Sequence, residues 1–136
     1  MMIVDGSCHC GATSILAEID PETVTICHCT DCQKLSANAF RVAVPAAVET
    51  TQFTGAAPKV YIKTADNGNR RVQAFCATCG SQFYSADATD TPAVYMLRVG
   101  ILRQSPILPP KREIWSRSRL PWVWDFHEET ESHETR

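Results

Sequence analysis

Seven cysteines stand in three tight groups along the chain, and their spacing is typical of metal binding. The groups, in chain order, are Cys8-x-Cys10, Cys27-x-Cys29-x-x-Cys32 and Cys76-x-x-Cys79. Thiolates bind Zn²⁺, which takes four ligands in a tetrahedral arrangement. Four sulfurs and three sulfurs suit two ions, one in a closed site and one in a site that keeps a position open. A closed site stabilises a fold, whereas an open site has room for a substrate.

The first and last groups are predicted to form the closed site. Each pair is followed by a glycine, Gly11 or Gly80, and glycine allows the positive φ that a tight metal-binding turn often needs. The predicted ligands are Cys8, Cys10, Cys76 and Cys79. Rubredoxin-like iron uses similar sulfur ligands, but the C-x-C half favours zinc. Because the two pairs are far apart in sequence, an ion between them would bind only the folded chain and would stabilise it.

The middle group is predicted to form the open site, with Cys27, Cys29 and Cys32 as ligands. Three protein ligands and one free position are the pattern of catalytic zinc. His28 lies between two of these cysteines, and we expect its ring to point away from the ion, as a solvated or core histidine that hydrogen-bonds locally. The alternative is a second structural site, completed by a ligand that the sequence does not identify.

Length, charge and composition restrict the class of protein. The chain has 136 residues, which suits one domain, and its formal net charge of −2 offers no basic excess to favour nucleic acid. No apolar run is long enough to span a bilayer and the first residues do not resemble a secretory signal, so we expect a cytoplasmic protein. In a reducing compartment, grouped cysteines are metal ligands more often than disulfides, and an odd number fits a disulfide framework poorly.

Alternating apolar and polar residues predict a mainly β protein that carries the metal sites at the ends of its strands. The predicted strands are 13–19, 23–26, 40–44 (stopped by Pro45), 59–64, 70–75, 82–85 and 93–99, with shorter candidates at 113–116 and 122–126. Asp66-Asn67-Gly68-Asn69 separates two of these runs, and Asn-Gly between alternating runs predicts a hairpin.

One short helix is predicted directly after the middle cysteine group. Thr30 or Asp31 would cap its N-terminus, and Cys32 to Leu35 would form its first turns. The amides at the start of a helix favour a thiolate over a thiol, so this position suits a metal ligand.

We expect one domain over residues 1–127 and a disordered, polar and acidic tail over residues 128–136. His127 and His133 lie in this polar end of the chain, and both are poor candidates for metal ligands. The predicted site residues therefore all lie within one domain.

With these residues identified, the chain resembles the glutathione-dependent formaldehyde-activating enzyme family, which includes the centromere-protein-V-type domains. The motifs that carry the resemblance are Gly6-Ser7-Cys8-His9-Cys10-Gly11, Cys27-His28-Cys29-Thr30-Asp31-Cys32-Gln33 and Phe75-Cys76-Ala77-Thr78-Cys79-Gly80-Ser81. Near the C-terminus, Ile114-Trp115 followed by Leu120-Pro121-Trp122 also looks like this family. The resemblance covers nearly the whole chain, from Gly6 to about Phe126.

The resemblance implies a Mss4-like fold, in which small antiparallel β-sheets with little helix form a tent-like arrangement joined by zinc sites. It implies a structural zinc on the four cysteines of the first and last motifs and a catalytic zinc on the three cysteines of the middle motif. The implied activity is that of a carbon–sulfur lyase, which adds glutathione or a similar thiol to formaldehyde or another small aldehyde through a zinc-bound thiolate. A non-catalytic, zinc-stabilised scaffold or binding domain is the alternative.

Other side chains could assist such a site, and the sequence singles out none of them. Cations for the thiolates or for substrate carboxylates could come from Lys34, Arg41, Arg70, Arg71, Arg112, Arg117 and Arg119. We expect Trp115, Trp122 and Trp124 in the core, with a pocket lining as the alternative. The expected partners are a small-molecule thiol and aldehyde, and exposed sheet edges would suit a homodimer.

Overall fold

Ten β-strands and one α-helix make up most of the regular structure in the computed structural model, which describes residues 1–126 and 130–135. The strands are β1 Met2–Ser7, β2 Thr13–Ile19, β3 Thr25–Cys27, β4 Arg41–Ala47, β5 Gln52–Gly55, β6 Lys59–Thr64, β7 Arg70–Phe75, β8 Gln82–Asp87, β9 Val94–Arg98 and β10 Arg112–Ile114. The helix α1 is Thr30–Ser36. The prediction of a mainly β protein is confirmed. The short helix predicted after the middle cysteine group is also confirmed.

The strands pair along the path β1-β2-β4-β9-β8-β7-β6, and all the pairs on this path are antiparallel. β5 pairs with β2 beside this path, and β3 lies between β4 and β10. The β3–β10 pair is parallel, with Ile114 opposite Cys27. The strand that delivers the middle cysteine group is therefore flanked on one side by the C-terminal part of the chain.

Strand β2 shows how the alternating pattern builds the main core. Thr13, Ile15, Ala17 and Ile19 are buried, while the residues between them are exposed or half-buried. The apolar members of this set pack with other buried side chains, namely Val4, Val24, Val44, Ala46, Leu97, Val99, Leu102 and Leu108. The predicted alternation of this strand is confirmed.

A second, smaller cluster lies where the first and last cysteine groups meet. Phe83 and Ala74 pack there against Cys8 and Cys76. Phe53 packs against both clusters, and its ring centroid lies 5.8 Å from that of Phe83 in an edge-on arrangement. The four-cysteine region is therefore continuous with the core of the fold.

The hairpin predicted from Asn67-Gly68 is confirmed. β6 and β7 pair residue for residue from Lys59 opposite Phe75 to Thr64 opposite Arg70. Gly68 has φ of +86°, a backbone conformation that residues with side chains rarely adopt. Asn-Gly is strongly favoured in such connections for this reason.

Several predicted strand ends were wrong, because local signals do not reveal the partners of a strand. β4 continues through Pro45 to Ala47. Residues 41–43 pair with β3 and Ala46 pairs with β2, so Pro45 falls in the gap between these two partners. A proline lacks an N–H to donate, and a gap of this kind tolerates it.

The strand predicted at 122–126 is also wrong. Its backbone turns instead, with the Val123 N–H donating to the Leu120 carbonyl and the Asp125 N–H donating to the Trp122 carbonyl. Val123 is buried, whereas Trp115, Trp122 and Trp124 are each about half-exposed, so the expectation that the tryptophans form core is wrong as well. The segment predicted at 113–116 is a shorter strand that ends at Ile114.

Two strands, β1 and β5, were not predicted, and the strand predicted at 23–26 begins only at Thr25. Pro21–Thr23 form a 3-10 turn, and the Asp20 side chain accepts a hydrogen bond from the Glu22 N–H at its start. The predicted domain boundary between residues 127 and 128 lies outside the described residues. No helix in the described ranges is both long enough and apolar enough to cross a membrane.

Candidate metal centre and the cavity beside it

The first and last cysteine groups come together in space. The sulfur atoms of Cys8, Cys10, Cys76 and Cys79 all lie within 4.8 Å of one another. The Cys8–Cys10 and Cys10–Cys76 sulfur separations are 3.6 and 3.7 Å. A tetrahedron with metal–sulfur bonds of about 2.3 Å has edges of about 3.8 Å, whereas a disulfide bond is about 2.05 Å long. These sulfurs therefore have the spacing of tetrahedral metal ligands, and the geometry fits a zinc ion.

The two cysteine turns share a backbone design. The Gly11 N–H donates to the Cys8 carbonyl at 3.0 Å, and the Gly80 N–H donates to the Cys76 carbonyl at 2.9 Å. Both glycines have φ of +77°, where a side chain would strain the backbone. The sequence prediction that these glycines permit metal-binding turns agrees with this geometry.

Ser81 links the two cysteine turns and lowers the pKa of one of the cysteines, Cys79. Its hydroxyl oxygen accepts the His9 N–H at 3.0 Å and lies 3.3 Å from the sulfur of Cys79. The hydrogen bonds from Ser81 lower the pKa of the Cys79 thiol to about 5. Cys79 is therefore a thiolate at neutral pH, which is the form that binds a metal ion.

The middle cysteine group also forms a cluster. Cys27 ends β3, Cys29 immediately precedes α1 and Cys32 lies in its first turn, and all three sulfurs lie within 4.8 Å of one another. The Cys32 N–H donates to the Cys29 sulfur at 3.2 Å, so Cys29 caps the helix. The predicted caps, Thr30 and Asp31, are wrong because both residues already lie inside the helix.

The thiols of this three-sulfur cluster differ in the direction of their pKa shifts. The hydrogen bond between Cys27 and Cys32 lowers the pKa of Cys27 and raises that of Cys32, and burial raises Cys32 further. Burial also raises the pKa of Cys29. Cys27 is therefore the first of the three to become a thiolate, and a bound cation would displace the remaining protons.

Within residues 1–126 and 130–135, no fourth cysteine, histidine, aspartate or glutamate donor joins this cluster. His28 is fully buried and its ring packs edge-on against Phe40 and Trp124, with centroids 5.8 and 6.1 Å away. Its Nε2 lies 3.2 Å from Oε1 of Glu113, but the atoms are not aligned for a hydrogen bond. His28 is thus a core residue that does not join the sulfur cluster, as the sequence suggested. The expected local hydrogen bond of its ring is wrong, because neither ring nitrogen has a partner among the described residues.

The Gln33 side chain joins the helix to the C-terminal part of the chain. Its Nε2 donates to the His28 carbonyl at 2.8 Å and to the Ser118 carbonyl at 2.9 Å. The His28 N–H in turn donates to the Ile114 carbonyl at 3.1 Å. These bonds hold the middle cysteine group between β4 and the segment that follows β10.

A cavity of about 270 Å³ is lined by Leu35 of α1 and by Gly80, which follows Cys79 in the last cysteine turn. Two arginines line it, Arg41 and Arg98, and each is only 7% exposed. Arg41 lies opposite Cys27 in the pairing of β3 with β4. Arg41 therefore links the wall of the cavity to the strand that carries Cys27.

Gln73 connects the two arginines. Its Oε1 accepts from Nη1 of Arg41 at 3.2 Å and from Nη2 of Arg98 at 2.9 Å. Burial lowers the pKa of Arg98 to about 9, and the charge of Arg41 acts in the same direction. Thiolates at Cys32 and Cys27 act in the opposite direction, so the arginines and the sulfurs share one electrostatic environment.

Only one of the seven cationic candidates from the sequence, Arg41, lines this cavity. Arg71 pairs with Asp87, Arg119 pairs with Glu113, and Arg117 lies over the ring of Trp115. The exposed members of the set are Lys34, Arg70, Arg112, Arg117 and Arg119. Sequence reasoning missed Arg98. The available signal was its place at the end of an otherwise apolar strand, Val94–Arg98, where a charge pointing inward is unusual.

Comparison with known proteins identifies the family of this chain. A family model described as glutathione-dependent formaldehyde-activating enzyme matches residues 3–118. No curated protein matches the chain. A crystal structure of a Rhodobacter sphaeroides protein is similar to this structure, with a TM-score of 0.61 and 22% sequence identity. The similarity covers 80% of this chain and 98% of that chain, and it shows that the two proteins share a fold. The family match spans most of the chain and all seven cysteines, so the chain belongs to the glutathione-dependent formaldehyde-activating enzyme family.

Proposed function

We propose that this protein is a zinc-dependent carbon–sulfur lyase that adds a thiol, glutathione or one like it, to formaldehyde or another small aldehyde. The observation that carries the proposal is the three-sulfur cluster, which has no fourth protein donor among the described residues and has Arg41, a residue that lines a cavity, opposite Cys27. Three protein ligands with an open position are the arrangement of catalytic zinc. The family match supports glutathione and formaldehyde as the substrate class.

In this proposal the two cysteine clusters have different tasks. Cys27, Cys29 and Cys32 would hold the catalytic zinc, and the four sulfurs of the other cluster would hold a structural one. A zinc ion at the open site would supply Lewis acidity, which lowers the pKa of a thiol placed beside it. Arg41 lies next to this cluster in the β3–β4 ladder and offsets the negative charge of the thiolates.

The reaction needs no oxidant or reductant. A sulfur–carbon bond forms between the substrate thiol and the aldehyde carbon, and the proton of the thiol ends on the former carbonyl oxygen. The protein's part is to hold the two reactants in reach of each other and to favour the thiolate form. The cavity, bordered by Leu35 and Gly80, is where the body of the thiol would lie.

The test uses Cys29→Ser, because serine supplies an oxygen that can cap α1 in place of the sulfur but is a poorer zinc ligand. We expect two zinc ions per wild-type chain and one per Cys29→Ser chain by mass spectrometry. We also expect the zinc-loaded wild type to form the hemithioacetal from glutathione and formaldehyde faster than the spontaneous reaction, and the variant to show no acceleration. Thr30→Ser changes the neighbouring exposed residue and serves as the control.

Two results would contradict the proposal. One is a wild-type protein with two zinc ions and no acceleration for any thiol and aldehyde pair, which would favour the non-catalytic scaffold. The other is full acceleration in folded Cys29→Ser. We also propose that the protein is cytoplasmic, because thiols stay reduced in that compartment. Its proposed partners are small molecules and not nucleic acid. We propose a homodimer through sheet edges, which a measurement of molecular mass in solution would test.

A further inference from the structure

Arg41 and Arg98 place two guanidinium groups in the interior with several of their donors unused. Both side chains are more than nine-tenths buried. Nε and Nη2 of Arg41 and Nε of Arg98 have no hydrogen-bond partner. Buried donors without partners are costly, and native proteins rarely keep them unless a ligand or water completes them. These groups therefore indicate an acceptor that binds in the cavity which both arginines line.

The thiolates nearby do not account for these arginines. Three thiolates on one zinc ion carry a single surplus negative charge, whereas the arginines carry two positive charges. Within residues 1–126, neither guanidinium hydrogen-bonds to a cysteine sulfur; their acceptors are Oε1 of Gln73 and the carbonyl of Met96. The cavity has no acidic residue among those that line it. A positive charge and free donors are left for a ligand to satisfy.

We infer that Arg41 and Arg98 form an anion-binding subsite that holds a carboxylate group of the substrate beside the three-cysteine cluster. This inference rests on the proposed function. A thiol substrate such as glutathione carries two carboxylates and no phosphate, so the anion that it would present to the arginines is a carboxylate. The planar fork of a guanidinium suits a carboxylate through paired, charge-assisted hydrogen bonds. At about 270 Å³ the cavity is just below the size of pockets for drug-like ligands, so it suits one end of a peptide thiol.

Gln73 is the positioning residue of this subsite. Its Oε1 accepts from both guanidinium groups, which fixes the two groups relative to each other. Because this oxygen is neutral, it orients the arginines without cancelling their charge. A carboxylate at the same position would cancel part of that charge and would compete with a substrate carboxylate.

The test measures binding by calorimetry with zinc-loaded protein, using glutathione and glutathione diethyl ester, which share the thiol and differ in the two carboxylates. We expect the wild type to bind glutathione at least tenfold more tightly than the ester. Arg98→Met and Arg41→Met should each reduce this preference to about twofold or less. Arg103→Met, which removes an exposed arginine paired with Asp5, should keep the tenfold preference.

Gln73→Glu tests the same inference without removing a buried side chain. We expect its new carboxylate to accept from both arginines, to abolish the preference for glutathione over the ester and to raise the melting temperature. Equal binding of glutathione and ester by the wild type would overturn the inference, as would a full preference in folded Arg98→Met or in Gln73→Glu. Inorganic phosphate that competes with glutathione more strongly than acetate does would overturn the carboxylate assignment.

S-Methylglutathione and its diethyl ester separate this inference from the proposed function, because neither carries a free thiol. If both arginine variants lose the preference for the acid over the ester while no hemithioacetal formation is accelerated, the subsite stands and the lyase proposal fails. If the wild type accelerates the reaction but binds the S-methyl acid and ester equally, the lyase proposal stands and the subsite fails.

Discussion

Gly6 shows at the residue scale why one position of the first motif must lack a side chain. Its backbone conformation does not require glycine, since its φ is not positive. A Cβ built on Gly6 would lie 2.0 Å from the carbonyl oxygen of Ile101, and Gly6 also forms an isolated bridge with Leu102. The requirement therefore comes from close backbone approach between β1 and the segment after β9.

We expect Gly6→Ala to destabilise the fold by about 1–3 kcal/mol, the usual cost of forcing extra atoms into a packed site. Gly100→Ala is the matched control, because a Cβ at Gly100 would meet no atom within 4 Å. The measurement is chemical denaturation of both zinc-loaded variants beside the wild type. Equal stability of the two variants would contradict the argument from close approach.

The residues of the site differ in how far the sequence could identify them. The grouping of the seven cysteines is local, and the structure brings together the same four and the same three that spacing suggested. Arg41 was one of seven cationic side chains that could assist the site, and the sequence did not distinguish it from the other six. Arg98 and Gln73 acquire their roles only when β4, β7 and β9 come together, so no local signal describes their shared hydrogen bonds.

At the scale of elements, α1 is only seven residues long and depends on its neighbours. Helices of this length are marginal in isolation. The sulfur of Cys29 caps its start, and Gln33 holds it to the carbonyls of His28 and Ser118. The position of Cys32 relative to Cys27 therefore depends on contacts that lie outside the helix.

We expect Gln33→Leu to loosen the segment after β10, because it removes the donor that joins α1 to the Ser118 carbonyl. Amide hydrogen exchange in residues 112–123 should become faster, while exchange in β6 and β7 should not change. Gln52→Leu alters an exposed glutamine of β5 and is the control. Unchanged exchange in residues 112–123 of Gln33→Leu would show that this bond does not hold the segment.

Strand predictions succeeded where pairing is local and failed where it is distant. The β6–β7 hairpin has its own turn signal, and β2 has a face that is buried at every second residue. Pro45 was predicted to end a strand because a local pattern cannot show that β4 changes partners there. The alternation at 122–126 was misleading, since the buried residue is Val123 and not the flanking tryptophans.

At the scale of the whole molecule, the four-sulfur cluster connects the two halves of the chain. It joins the turn after β1 to the turn after β7, and two of its cysteines belong to a core cluster with Phe83. A metal ion that binds only the folded state adds its binding free energy to stability, about 10–16 kcal/mol in zinc-finger peptides. This exceeds the total stability of many domains, about 5–15 kcal/mol.

We therefore expect removal of metal from the four-sulfur cluster to unfold the protein. Cys79→Ser, or the wild type with a strong chelator, should lose its cooperative thermal transition by circular dichroism. Cys29→Ser should keep that transition, because its cluster joins β3 to α1, which follow each other in the sequence, and does not join distant parts of the chain. A normal melting curve for Cys79→Ser would contradict the structural role of this cluster.

The parallel pairing of β3 with β10 has a consequence for biosynthesis. The chain emerges from the ribosome with its N-terminus first. All four sulfurs of the four-sulfur cluster can therefore bind a metal ion once residue 79 has emerged. Strand β3 acquires its second neighbour only when residues 112–114 follow. A nascent chain can thus bring its four sulfurs together before β3 is flanked on both sides, and the two stages are separated by some thirty-five further steps of translation.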